Sequence, residues 1–187
     1  MGLLDPPGFR RNRHGQFWLH LGAQDRALLG DLLAQLTLML GPAPDAEPAD
    51  PLVALVGIDP HATRPEDPAL ARLFPDAYPD AEDAAEFRRF TQAELRSTKL
   101  AHLDLAATSL SRPDPTELSE AEAQAWLGAL NDLRLTLAAR LEITLDGTDL
   151  LADLAEDDPR RGLALVYDWL TYHQDRLVGA LTKGLPR

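Results

Sequence analysis

Ser119 to Leu141 reads SEAEAQAWLGALNDLRLTLAARL, and this stretch decides the fold. Ser119 suits an N-cap, because its hydroxyl can accept from an otherwise orphan backbone N–H. Glu122, three residues on, completes a capping box. Trp126, Leu130, Leu133, Leu137 and Leu141 then recur at steps of four and three, one face of a 3.6-residue period. Leu127 widens that stripe. Gly128 lowers helix propensity by about 1 kcal/mol relative to Ala, so its presence points to close approach of a neighbour. Asn131, Asp132 and Arg134 interrupt the apolar surface. Rotation by about 100° per residue puts Asn131 and Arg134 on one flank, near the stripe's edge.

Outward from this helix, the chain reads as material that covers it. Upstream, Phe9 to Arg11 and Gln16 to Leu21 read as two strands. Phe17, Leu19 and Leu21 alternate with Trp18 and His20, and Asn12 to Gly15 supply the turn of a β-hairpin. Asp25 is expected to cap a first long helix running to about Leu40, which Gly41-Pro42 ends. Residues 41–50 read as a flexible Pro/Ala/Asp linker. Asp50-Pro51 and Asp67-Pro68 each look like an N-cap and N1 pair, opening short helices to Gly57 and Phe74. Asp80 caps a further helix carrying Ala84, Phe87 and Phe90. Thr91 with Glu94 makes a second capping box, so a break is expected near Thr91, followed by a helix to Leu110. That second part is expected to bury Leu95, Leu100, Leu103, Ala107 and Leu110.

Beyond the central helix, Ile143 to Leu145 read as a short strand and Thr148 to Leu154 as a short helix. Asp158-Pro159 opens the last helix, to about Leu181. There Leu163, Val166, Tyr167, Leu170 and Leu177 share a stripe that Leu165, Trp169 and Tyr172 widen. A helix apolar on more than half its surface is enclosed, or meets a partner chain. The expected architecture is mainly α: a bundle of about four long helices plus short ones, with an N-terminal β-hairpin packed on it. The 187 residues suit one domain, with residues 1–24 as a hairpin appendage.

Composition excludes several functions. The chain has no cysteine, which removes disulfides, thiol catalysis and Cys-based zinc sites. The start, MGLLDPPGFRRNRHG, lacks the apolar core of a secretory signal, and Pro6 breaks a myristoylation pattern. No apolar run nears the roughly 18 residues of a membrane span, so a cytoplasmic protein is expected. The net charge of −12 disfavours general nucleic-acid binding. Arg10, Arg11 and Arg13 form the one basic patch, either a solvated hairpin tip or a contact for DNA.

Two further stretches carry a resemblance: DPALARLFPDAYPDAEDAAEFRRFTQAELRSTKL, from Asp67, and AWLGALNDLRLTLAARLEIT, from Ala125. With the ending VYDWLTYHQDRLVGAL, they resemble an actinobacterial family of uncharacterised proteins. It is a domain of unknown function also called an actinomycete oxidative-stress transcriptional regulator family. The resemblance implies a regulatory role and a helical fold, with family members usually encoded near a Clp protease adaptor. Thiol-based sensing would need a cysteine pair, so the resemblance does not bring that chemistry to this chain.

Inside those stretches lie Arg88, Arg89, Asn131, Asp132 and Arg134. Two or three guanidinium groups can hold a carboxylate or phosphate bidentately. Alternatively Asp132, Glu86 or Asp76 pairs with the arginines and fixes helix packing. Asp76, Asp80, Glu82, Asp83 and Glu86 lack the glycine turn of a hard-cation loop and suit a helix start. His14, His20, His61, His102 and His173 have no zinc-ligand spacing. Ser109 and Ser111 lack a nucleophile elbow, and no phosphate-cradling glycine loop is present. Trp126, Trp169, Tyr167 and Tyr172 read as core. No metal or cofactor is expected.

Three functions fit these observations. The first is a non-enzymatic regulator or adaptor acting through protein contacts, with a homodimer through the last helix as one arrangement. The second is a DNA-binding regulator that uses Arg10, Arg11 and Arg13. The third is a small-molecule or anion binder built on Arg88, Arg89 and Arg134.

Overall fold

A computed structural model of the chain describes residues 7–41, 59, 62–143 and 154–183. Among these the fold is mainly helical, with a small antiparallel sheet packed on the helices. The order is β1 (Gly8–Arg11), β2 (Phe17–His20), α1 (Ala23–Leu40), α2 (Pro68–Leu73), α3 (Ala81–Leu110), β3 (Thr116–Leu118), α4 (Glu120–Arg140) and α5 (Arg161–Thr182).

The central helix α4 starts as its sequence dictates. The Ser119 hydroxyl accepts from the Glu122 N–H at 3.2 Å, and the Glu122 carboxylate accepts from the Ser119 N–H at 2.7 Å. All five stripe residues, Trp126 to Leu141, are buried. The Trp126 indole donates to Ser109 Oγ on α3 at 2.7 Å, so its one polar atom is satisfied inside the core. Gly128 brings α4 against α3. A Cβ there would stand 2.5 Å from the His102 ring. The helix ends with Glu142 at φ 57, where the Ile143 N–H reaches back to the Ala138 carbonyl at 2.9 Å. Ile143 therefore belongs to a helix terminus and not to the expected strand, while residues 144–145 lie outside the described residues.

The hairpin gains a third strand. The expected β1 and β2 pair with Phe9 opposite Leu19 and Arg11 opposite Phe17, and β3 adds to the far edge of β2 with Phe17 opposite Leu118. Phe9, Phe17, Leu19, Thr116 and Leu118 face the helices and are buried. The Phe9 ring meets Trp126 edge-on, with centroids 5.3 Å apart. Asp114, just before β3, accepts from the Leu21 N–H at 2.9 Å, pairs with His20 Nδ1 at 2.6 Å and takes Arg26 at 3.3 Å. That carboxylate pins the third strand to the hairpin. Three residues are too few to show an alternation, which is why the sequence reading passes over them.

Other boundaries differ for local reasons. Helix α1 begins after Gly22 and has no side-chain cap; Asp25 sits in its first turn. The expected break at Thr91 does not occur, and α3 runs unbroken for 30 residues from its Asp80 cap. The Thr91 hydroxyl instead donates to the Phe87 carbonyl at 3.0 Å, a bond compatible with helix interior. In its second half Leu103, Ala106, Ser109 and Leu110 are buried, whereas Leu95 and Ala107, expected inside, are exposed. Asp67 caps α2, accepting from Ala69 and Leu70. Hydrogen bonding to Arg140 holds its carboxyl below the usual carboxylate range. The short helix expected at residues 51–57, the linker at 42–50 and most of the one at 148–154 lie outside the described residues.

Candidate functional site

The polar residues singled out in the sequence do not meet in one place. Asp132 is buried and points to α3, where Lys99 Nζ donates to it at 2.7 Å. Its partner is a lysine and not one of the expected arginines. Arg134, two residues on, turns the other way. Its guanidinium donates to Thr171 Oγ1 at 2.9 Å, Gln174 Oε1 at 2.5 Å and the Tyr167 hydroxyl at 3.2 Å, all on α5, and lies over the Tyr167 ring. Asp132 and Arg134 thus fasten α4 to two different helices. Asn131, just before Asp132, is exposed.

Arg88 lies on the first half of α3. It hydrogen-bonds Asp76, which Arg64 also approaches at 3.3 Å. Arg89 is exposed, and its backbone carbonyl accepts from the Asp59 N–H at 2.7 Å. Strand register divides the N-terminal arginines. Arg11 shares the inner face with Phe17, lies 5.1 Å over that ring, and donates to the Gly15 and Lys183 carbonyls. Arg10 takes the outer face opposite Trp18, and Arg13 is exposed at the turn.

An open surface lies around Arg88. Of the first 19 residues of α3, only Ala84 is buried. Phe87 is 42% exposed and Phe90 49%, with Tyr78 and Leu95 exposed beside them. The Tyr78 and Phe87 rings meet edge-on with centroids 5.6 Å apart. Two concavities of about 430 and 410 Å³ flank Phe87. The first reaches from Phe74 and Asp76 to Leu95 and Thr98, and the second lies between Tyr78, Asp83, Glu86 and Phe90. Gln92 Oε1, beside the first, is buried with no hydrogen-bond partner. The sequence placed Phe87 and Phe90 on the helix correctly but gave no sign that they stay uncovered.

The last helix is less exposed than its composition suggests. Ala164, Leu170, His173, Leu177 and Ala180 are buried, and the exposed Leu163, Leu165, Tyr172 and Val178 are spread around it. His173 is packed between Phe9, Trp169 and Tyr172. Burial pushes its imidazole pKa down to about 4, against the pull of Asp25 and with the help of Arg176. Among the described residues no three His, Asp or Glu side chains converge on a possible metal position, and no helix is long and apolar enough to cross a membrane.

With this geometry in place, the comparison with known proteins is decisive for kinship. Residues 6–181 match the family model described as a domain of unknown function, DUF2017. The chain belongs to this family. Relatives named "Oxidative stress regulator AosR" from Mycobacterium tuberculosis and Mycobacterium bovis are each 34% identical over 190 residues, covering 93% of this chain and 82% of theirs. No solved structure matches the chain. The two stretches that carried the resemblance map onto α2–α3 and α4.

Proposed function

We propose that the protein is a non-enzymatic regulator that acts by docking another protein on the first half of α3. The observation that carries this reading is the exposed aromatic ridge of Tyr78, Phe87 and Phe90. Contiguous apolar surface of this kind on a soluble protein marks an interaction site. Aromatic residues are also the side chains that most often anchor interfaces. Asp76, Asp83, Glu86 and Glu94 line the flanking concavities with Arg88 as the one cation. The partner of matching chemistry presents an apolar segment bordered by Lys or Arg, such as a basic amphipathic helix. The regulator name of the mycobacterial relatives supports a regulatory role for this chain.

The test is capture by the immobilised full-length chain, compared with a Phe87→Ser/Phe90→Ser variant of unchanged circular dichroism. The wild type should retain a partner that the double variant releases, and the complex should weaken as salt rises. Retention of the same proteins by both forms would refute the reading. Light scattering on the free chain shows whether that partner is a second copy.

A further inference from the structure

A third concavity, of about 350 Å³, lies where the edge strand β1 runs along the last turns of α5. It gathers four cations, Arg10, Arg11, Arg176 and Lys183, against one carboxylate, Asp175. This is unusual in a chain of net charge −12. Elsewhere some arginines meet carboxylates directly, as in Arg88–Asp76, Arg112–Glu122 and Arg140–Asp67, while Arg96 and Arg134 bond neutral oxygens. Here Arg11, Arg176 and Lys183 have no carboxylate within ion-pair distance among the described residues. Arg11 is held by the Gly15 and Lys183 carbonyls, which fix its position and leave its charge intact. The Nε of Arg176 is buried and has no hydrogen-bond partner among the described residues. Phe9 and Ala180 give the cavity an apolar floor. At Gly179 a Cβ would meet nothing within 4 Å, so that wall stands open.

We infer that this groove binds the phosphoryl group of a small molecule. A doubly charged oxyanion is the ligand that several cations lining one groove would hold most strongly. The volume is at the small-molecule end of the range for binding pockets. A nucleic-acid backbone fits less well. It needs cations spread along a run of successive phosphates, and the acidic body would repel it. The cations also have a purely structural alternative, the neutralisation of the partial negative charge at the C-terminus of α5, which Arg11 already serves. The inference does not require any protein partner.

Thermal unfolding and calorimetric titration of the full chain separate these accounts. The probes are inorganic phosphate and glycerol 3-phosphate, with sodium chloride holding ionic strength constant. Either phosphate should raise the melting temperature in a saturable way. A response to inorganic phosphate alone identifies the free ion as the ligand, and tighter binding of the ester identifies a phosphorylated metabolite. Lys183→Gln, at an exposed position, should fold normally and weaken binding by about tenfold. Arg10→Gln provides a second variant with the same expected direction. Equal effects of phosphate and chloride, or unchanged phosphate binding in both variants, would overturn the inference. So would retention of a DNA duplex that depends on Lys183 without any response to the small phosphates.

Discussion

The two halves of α3 belong to one continuous helix and have opposite surroundings. From Lys99 to Leu110 the helix is sealed against α4. Asp132 meets Lys99, the space a Cβ at Gly128 would need is taken by the His102 ring, and Trp126 donates to Ser109. From Ala81 to Thr98 only Ala84 is buried, and Phe87, Phe90 and Leu95 remain exposed. Helix formation is local, so it does not require burial once the Asp80 cap and the packed second half hold the chain. The sealed half therefore carries stability, and the open half is available for contact.

The largest effect should follow from breaking the seal. Asp132→Ala strands the Lys99 ammonium in a nearly closed seam, and chemical denaturation should show a loss of about 3 kcal/mol. Replacing both members of the pair by apolar residues should recover much of that loss. If Asp132→Ala costs less than the usual scatter of surface substitutions, the seam is open to water and the contrast fails.

A second sealed place, beneath β1, makes the contrast pH-dependent. His173 stays neutral in the fold because burial lowers its pKa to about 4, whereas the unfolded chain takes up a proton near the ordinary value of 6.5. Stability is therefore fully present above pH 6.5, falls as the pH drops towards 4, and gains no further loss from this group below that. The total is at most about 3 kcal/mol. Urea titrations across that range should show the slope, and His173→Gln should flatten it.

The smallest effect belongs to the open half. Phe87→Ser/Phe90→Ser should change unfolding free energy by no more than about 0.5 kcal/mol per site, as expected of exposed positions. A cost above 2 kcal/mol would mean that these rings are part of the core, and the docking surface would lose its basis.

Much of the helical framework was legible because its signals are local. The Ser119–Glu122 box, the caps at Asp67 and Asp80, and the stripe from Trp126 to Leu141 all operate within a few residues. The capping pattern at Thr91 misled for the same reason, since a threonine followed by Glu94 is equally at home inside a helix. The strand β3 was illegible because its pairing partner lies about a hundred residues away. The alternation of β1 places Arg10 and Arg11 on opposite faces, although the two are neighbours in the sequence.

Sequence by itself therefore determined that the fold is mainly helical, which face of α4 is buried, and that no thiol chemistry resides in these 187 residues. These follow from residue identity and short-range periodicity. Only the tertiary structure decided that Lys99 answers Asp132, that Arg134 belongs to α5, that the rings of Phe87 and Phe90 stay uncovered, and that Arg11 and Arg176 line one concavity with Lys183. Those outcomes depend on which surfaces distant segments bring together, and burial is a property of that assembly and not of any one helix's own pattern.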